Sequence, residues 1–164
     1  ADADNVDLSN DERLRIHPNG VASFNNGIAL GVGTANTASN VIHDYEEGTW
    51  SPSVTNGFSS ASVVSANYTK VGRTVLVNLY IHSLQGKNSD GVQIAGLPFT
   101  VISNAFFTGA LECSTDGHMG LVRADSNGTT LNFYYADSSS YHRTTLTGND
   151  VGSHLIFSMV YGTS

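Results

Sequence analysis

Residues 74–83 read TVLVNLYIHS, and their alternation sets the strongest limit on the fold. Val75, Val77, Leu79 and Ile81 fall on one side of an extended chain, with Thr74, Asn78 and His82 on the other. A two-residue period suits a strand and cannot form a single stripe on a helix. The same period returns at Leu131, Phe133 and Tyr135, and again at Leu155, Phe157, Met159 and Tyr161. Leu76 and Tyr80 break the polar side of the first run. Apolar residues on both faces predict a strand covered twice, in a sandwich core or at a subunit interface. No amphipathic helical stripe of useful length competes with this pattern.

Turn signals divide the rest of the chain into further strands. Residues 68–73 read as a strand end and a turn, and residues 92–95 as a short strand stopped by Gly96-Leu97-Pro98-Phe99. Residues 106–113, 119–124, 129–136 and 154–161 follow, with Asn127-Gly128 as a hairpin turn. Only 13% of residues are charged, while Gly, Ser, Thr and Asn abound, a composition of strands and turns. Strands at such spacing predict an all-β fold with a β-sandwich, jelly-roll-like head. A chain of 164 residues buries roughly 70% of its unfolded surface and needs no staple. Its one cysteine, Cys113, has no partner for an internal disulfide and sits in the apolar setting Ala-Leu-Glu-Cys, where a buried, inert thiol is expected over a reactive one.

The first 43 residues differ in character. Residues 1–12 carry Asp2, Asp4, Asp7, Asp11 and Glu12 without a Lys or Arg, and read as a solvated leader. The Asp/Asn spacing loosely matches a calcium loop but lacks its central glycine and closing glutamate. Three very short β-segments follow: Arg13 to His17, Val21 to Phe24 and Ile28 to Gly31, split by Asn19-Gly20 and Asn26-Gly27. Hairpins this small are marginal alone. Two readings stand: a short intertwined β-stem shared by three chains, or a meander folded on its own domain. Residues 31–40 are small and polar, a linker. The expected division is residues 1–43 as leader, stem and linker, and residues 44–164 as head.

The stretch HDYEEGTW, residues 43–50, gathers a histidine, three carboxylates and the only tryptophan. It reads as an acid/base site, a metal site, a sugar platform or a structural joint. Glu46 and Glu47 are adjacent, so on a strand they point to opposite faces, a poor pair for glycoside hydrolysis. Asp116, Asp125 and Asp137 sit in turn contexts where Asp suits the backbone. No nucleophile elbow, phosphate-binding glycine loop or HExxH pattern is present, so no enzyme activity and no cofactor are expected. A net charge of −7 with seven Lys and Arg leaves no basic patch for nucleic acid and no polybasic stretch for anionic lipid. No apolar run suggests membrane insertion.

Binding residues are read against plainer roles. Sugars need aromatic faces beside polar groups that orient hydroxyls. Tyr134, Asp137, Tyr141, His142 and Arg143 supply both within one strand end and loop; the plainer reading puts Tyr134 at a subunit interface above an ordinary turn. A second candidate joins Gly117-His118 to the turn at Asp125 and Asn127. Phe106 and Phe107 are adjacent, so one enters the core and the other meets a neighbouring subunit. No metal motif exists within the chain; a three-fold axis through the stem would multiply His17 into a ligand set, against a surface histidine beside a turn proline.

The segments RIHPNGVASFNNGIALG, DYEEGTW with its following proline, NYTKVGRTVLVNLYI, IAGLPFT and LTGNDVGSHLIFSMVYGTS, in this order, resemble the distal part of tailed-bacteriophage tail fibres and tailspikes. The resemblance spans roughly residues 13–164. It implies a homotrimer at the tail tip of a virion, joined to the remainder of the fibre, that recognises a host cell-surface glycan. It equally allows a trimerisation and folding cap without a ligand, and less readily a polysaccharide-degrading enzyme. The motif's place between the small-residue linker and the first sandwich strand, together with the resemblance, makes Asp44, Tyr45, Glu46, Glu47 and Trp50 a stem–head joint and trimer interface, with Phe106 also at the interface, Gly48 turning the chain and the carboxylates accepting backbone N–H groups or meeting Arg13, Arg15, Lys70 or Arg73. His43 stands where the family pattern has an acid or a small polar residue.

Overall fold

A computed structural model describes residues 14–24, 27–29, 41–42, 44–113, 120–136 and 143–164. The chain divides into two compact units, Ala1–Tyr45 and Glu46–Ser164. In the first, strand β1 (Leu14–Ile16) pairs antiparallel with β2 (Ala22–Phe24), and β3 (Ile28–Ala29) with β4 (Val41–Ile42). The Pro18-Asn19-Gly20 turn closes the first hairpin, His17 N–H donating to Val21 O at 2.7 Å and Gly20 N–H to His17 O at 2.9 Å. Gly20 takes φ +85°, which glycine adopts freely. Leu14, Ile16, Val21, Phe24, Ile28 and Ile42 are all exposed in the single chain. Among the described residues of this unit none is buried.

Among its described residues the second unit is all β, with one three-residue 3₁₀ turn at Gly148–Asp150. Its strands are β5 (Tyr45–Thr49), β6 (Ser53–Asn56), β7 (Ser60–Val71), β8 (Thr74–Gln85), β9 (Gln93–Ala95), β10 (Phe107–Cys113), β11 (Gly120–Ala124), β12 (Leu131–Ala136), β13 (Arg143–Thr145) and β14 (His154–Gly162). They form one curled antiparallel sheet in the order β5-β7-β8-β14-β10-β11-β12-β9-β6, with β13 beside β12. Its two ends, β5 and β6, are consecutive strands separated only by Trp50, Ser51 and Pro52. Four Cα steps span at most about 14 Å. The sheet therefore closes back on itself, and its opposed inner faces make a sandwich core.

The alternating runs fill that core. Val75, Val77, Leu79 and Ile81 of β8 are at most 1% exposed, and Leu155, Phe157, Met159 and Tyr161 of β14 at most 2%. Leu131 and Phe133 of β12 are fully buried, and Tyr135 packs at the core's margin. Phe133 and Phe157 meet across the sandwich with ring centroids 5.9 Å apart. Phe107 packs against the core and Tyr161, while Phe106 faces outward, and the Cys113 thiol is buried. Leu76 is exposed and Tyr80 half-buried, so the outer face of β8 is not covered by the unit itself.

Two local readings change and one extends. The turn expected within residues 68–73 lies at Gly72-Arg73 before β8, and the strand end is the last part of the twelve-residue β7. Its register against β8 shifts between Ser60 and Ser62 and between Val63 and Ser65, and bulges of this kind erase a clean alternation. Gly48 makes no turn: it lies inside β5, where a Cβ would come within 3.1 Å of the Tyr68 ring. Trp50 is 7% exposed in the single chain and belongs to the core, so it has almost no surface left for a neighbouring subunit. Its backbone N–H donates to Ala66 O at 3.0 Å and its indole N–H to Asn78 O at 3.3 Å.

Candidate functional site

The outer face of β9, β12 and β11 is the best-furnished polar surface of the head. The β11–β12 hairpin turns at Ser126 and Asn127, the latter at φ +59°, and sets Arg123 opposite Asn132 and Leu121 opposite Tyr134. Strand β9 then pairs Gln93 with Asn132. Outward side chains on adjacent strands stand close enough to interact, including along diagonals. Here they do so as a connected set.

Arg123 is its centre. Its guanidinium donates to both Asp125 carboxylate oxygens, through Nε to Oδ1 and through Nη2 to Oδ2 at 3.0 Å. Asn132 Nδ2 donates to the same Oδ2 at 3.1 Å, and Gln93 Nε2 donates to Asn132 Oδ1 at 2.9 Å. The carboxylate accepting its N–H groups raises the Arg123 pKa above its ordinary value, so the fork stays charged and fixed in plane. Two rings flank it, Tyr134 at 5.0 Å and Phe106 at 5.5 Å from Cζ to ring centroid. Each such contact contributes about 0.5–1 kcal/mol at a surface. Phe106 is nonetheless 68% exposed, leaving most of the ring bare. A cleft of about 290 Å³ adjoins, lined by Asn56, Gly91, Gln93, Asn132, Tyr134 and Thr145 among others.

Such a surface offers an open aromatic face, a held guanidinium, a carboxylate and two carboxamides whose orientations are set by one another. These groups bind polyhydroxylated ligands through C–H contacts and directional hydrogen bonds. Among the described residues no three His, Cys, Asp or Glu side chains converge on a metal position.

Of the residues expected to bind sugar, Tyr134 is in this set. Asp137, Tyr141 and His142 lie outside the described residues, as do His43 and His118; Arg143 is described only through its backbone in β13. Asp125, from the second candidate, joins Tyr134 at one site. Phe106, expected at a subunit interface, stands beside Arg123. Arg123, Asn132 and Gln93 were not singled out in the sequence. A signal for two of them existed: a hairpin centred on Asn127-Gly128 pairs residue 123 with residue 132, putting Arg123, Asp125, Asn132 and Tyr134 on one face.

The motif residues are distributed along β5. Tyr45 is 62% exposed, Glu46 and Glu47 are exposed and Asp44 is half-buried. The Tyr68 hydroxyl crosses over Gly48 to donate to Glu46 Oε1, and that bond raises the Tyr68 pKa. Tyr68 in turn meets Phe99 edge-on at 5.4 Å, with Lys70 Nζ 5.3 Å from the same Phe99 ring. His17 Nε2 lies 2.8 Å from Ser23 Oγ, within the first hairpin.

No family model matches this chain, and no curated protein or solved structure does so either.

Proposed function

We propose that the chain is the distal, receptor-binding module of a phage tail fibre or tailspike, a homotrimer that adheres to a host cell-surface glycan without catalysis. The single observation that carries the glycan reading is the Phe106–Arg123–Tyr134 surface with its Asp125–Asn132–Gln93 relay. Side-chain entropy is already spent in holding these groups, so a ligand meets a preorganised site. The order of motifs resembling distal fibre segments supports the setting at a virion tail tip.

Exposed Leu14, Ile16, Val21, Phe24, Ile28 and Ile42 support assembly, because short hairpins without a core gain it from other chains. Three identical sites on one tip raise avidity far above single-site affinity.

The test is glycan-array and host-cell binding by the intact chain, alongside Tyr134→Ala and Arg123→Gln. Binding by the parent, with a loss of about tenfold or more in either variant, is the expected result. A folded chain that binds no glycan or host cell removes the receptor reading and favours a folding cap. Release of reducing sugar from host polysaccharide would replace adhesion with hydrolysis. Light scattering tests the assembly, and a stable monomer overturns the trimer.

A further inference from the structure

A second, larger groove lies elsewhere on the head, on the outer side of β8 and β14. Its volume is about 610 Å³, within the range of small-ligand sites. Its wall includes Tyr80, His82, Ser83, Lys87, Ser153 and His154. The two histidines are direct cross-strand partners, His82 opposite His154. Tyr80 stands against both, with ring centroids 6.1 Å from His82 and 6.2 Å from His154.

Each imidazole is held by a neighbouring serine. His82 Nδ1 lies 2.7 Å from Ser83 Oγ, and His154 Nδ1 lies 3.2 Å from Ser153 Oγ. His154 Nε2 is enclosed and makes no hydrogen bond; Glu112 Oε1, on β10, is 3.7 Å away. That nitrogen is closed to solvent and pairs with Glu112 only when the ring is protonated, so it does not face a ligand in the groove. Lys87 Nζ donates to Val151 O at 2.8 Å and to Gly152 O, which pins a full positive charge at the groove.

Charge decides the ligand class. The chain carries a net charge of −7, yet among the described residues no Asp or Glu lines this groove. The ionisable groups lining it among the described residues are Lys87, His82, His154 and Tyr80, with Glu112 behind His154 and outside the lining. A concavity whose described standing charge is that of Lys87, in an acidic protein, favours anions over cations. The absence of a three-ligand cluster among the described residues argues against a metal as occupant. Beside the charge stand an aromatic ring and two hydroxyl groups, which suit a sugar ring and its hydroxyls.

We infer that this groove binds a carboxylate-bearing sugar, its carboxylate toward Lys87 and His82 and its ring against Tyr80. The sugar rests on the glycan-adhesion reading; the negative charge rests on the groove alone.

The experiment is an NMR titration of the intact chain with trigalacturonate, neutral galactotriose and acetate, following the His82 and His154 imidazole signals. Trigalacturonate is expected to shift both signals saturably, with affinity at least about tenfold above galactotriose. His82→Asn and Lys87→Gln should each lower it about tenfold. Lys87 also caps two carbonyls, so His82→Asn, checked by its melting curve, is the deciding variant. Equal binding of the neutral trisaccharide, or full binding by folded His82→Asn, overturns the inference. Acetate binding as tightly as trigalacturonate assigns the groove to small carboxylates and overturns the sugar. Binding of trigalacturonate with no neutral glycan bound at Tyr134 keeps this groove and removes the Arg123 platform; loss of both in folded Tyr134→Ala does the reverse.

Discussion

Replacing Trp50 with alanine separates a core residue from a joint. The side chain is 7% exposed, packs with Phe58, Ala66 and other core residues as part of one cluster, and donates its indole N–H to Asn78 O at 3.3 Å. Emptying a buried tryptophan site costs about 3–5 kcal/mol. The stranded Asn78 carbonyl adds about 1 kcal/mol. Against a domain stability of about 5–15 kcal/mol, a loss of about 4–6 leaves the chain close to unfolding. With a urea slope near 2 kcal/mol/M, the midpoint falls by about 2–3 M. The assay is far-UV circular dichroism in urea, since the substitution removes the only tryptophan fluorophore. Measurements at several protein concentrations decide the mechanism. A core residue weakens the chain by the same amount at each concentration, whereas an interface residue acts through mass action. A loss below about 1 kcal/mol, or one that grows on dilution, would refute the reasoning.

Three further outcomes follow from the same coordinates. Tyr161 is 1% exposed, its hydroxyl donates to Phe99 O at 3.0 Å and accepts from Phe99 N–H at 3.2 Å, and burial pushes its pKa up to about 12. An unfolded tyrosine ionises near pH 10, so this contribution is intact below about pH 10 and is lost as pH rises toward about 12. Tyr161→Phe should cost about 1–3 kcal/mol at neutral pH, through the unpaired Phe99 groups, and flatten the alkaline decline; urea midpoints on either side of pH 10 check both. Gly148→Ala should destabilise by about 1–3 kcal/mol in a thermal melt, because a Cβ there overlaps the Gly57 carbonyl. Leu14→Ser with Ile16→Ser should shrink the assembly measured by light scattering while leaving the head's β-sheet circular dichroism intact, since both side chains are exposed in the single chain.

The β8, β12 and β14 strands were legible because each has one face in the core and the other outward, so burial writes itself as a period of two. β7 was legible only at its end, since its bulges and its Ser, Ala and Val residues obscure any period. In β5 the three carboxylates and the aromatic pair suggest a site or a joint; the chain divides there, at Tyr45/Glu46, while Trp50 packs in the core and Glu46 receives the Tyr68 hydroxyl. At the surface around Arg123, Tyr134 stood out as an aromatic near polar residues. Arg123 did not, because its meaning lies in partners nine and eleven positions away that only the hairpin register supplies. The paired histidines are harder still. They are 72 residues apart in sequence and meet only through the pairing of β8 with β14.

That pairing bears on how the chain is made. β14, the last of the described strands in sequence order, lies between β8 and β10 in the interior of the sheet. Until residues 154–162 have emerged, the early strands β7 and β8 and the middle strands β10 to β12 have no backbone connection through β14, and the inward faces of β8 and β10 lack their shared neighbour. The core can therefore close only after synthesis has passed this strand, and long-range pairing of this kind folds slowly. Loss of residues 154–162 would then be no local trimming: it would remove the strand that makes one sheet of two halves.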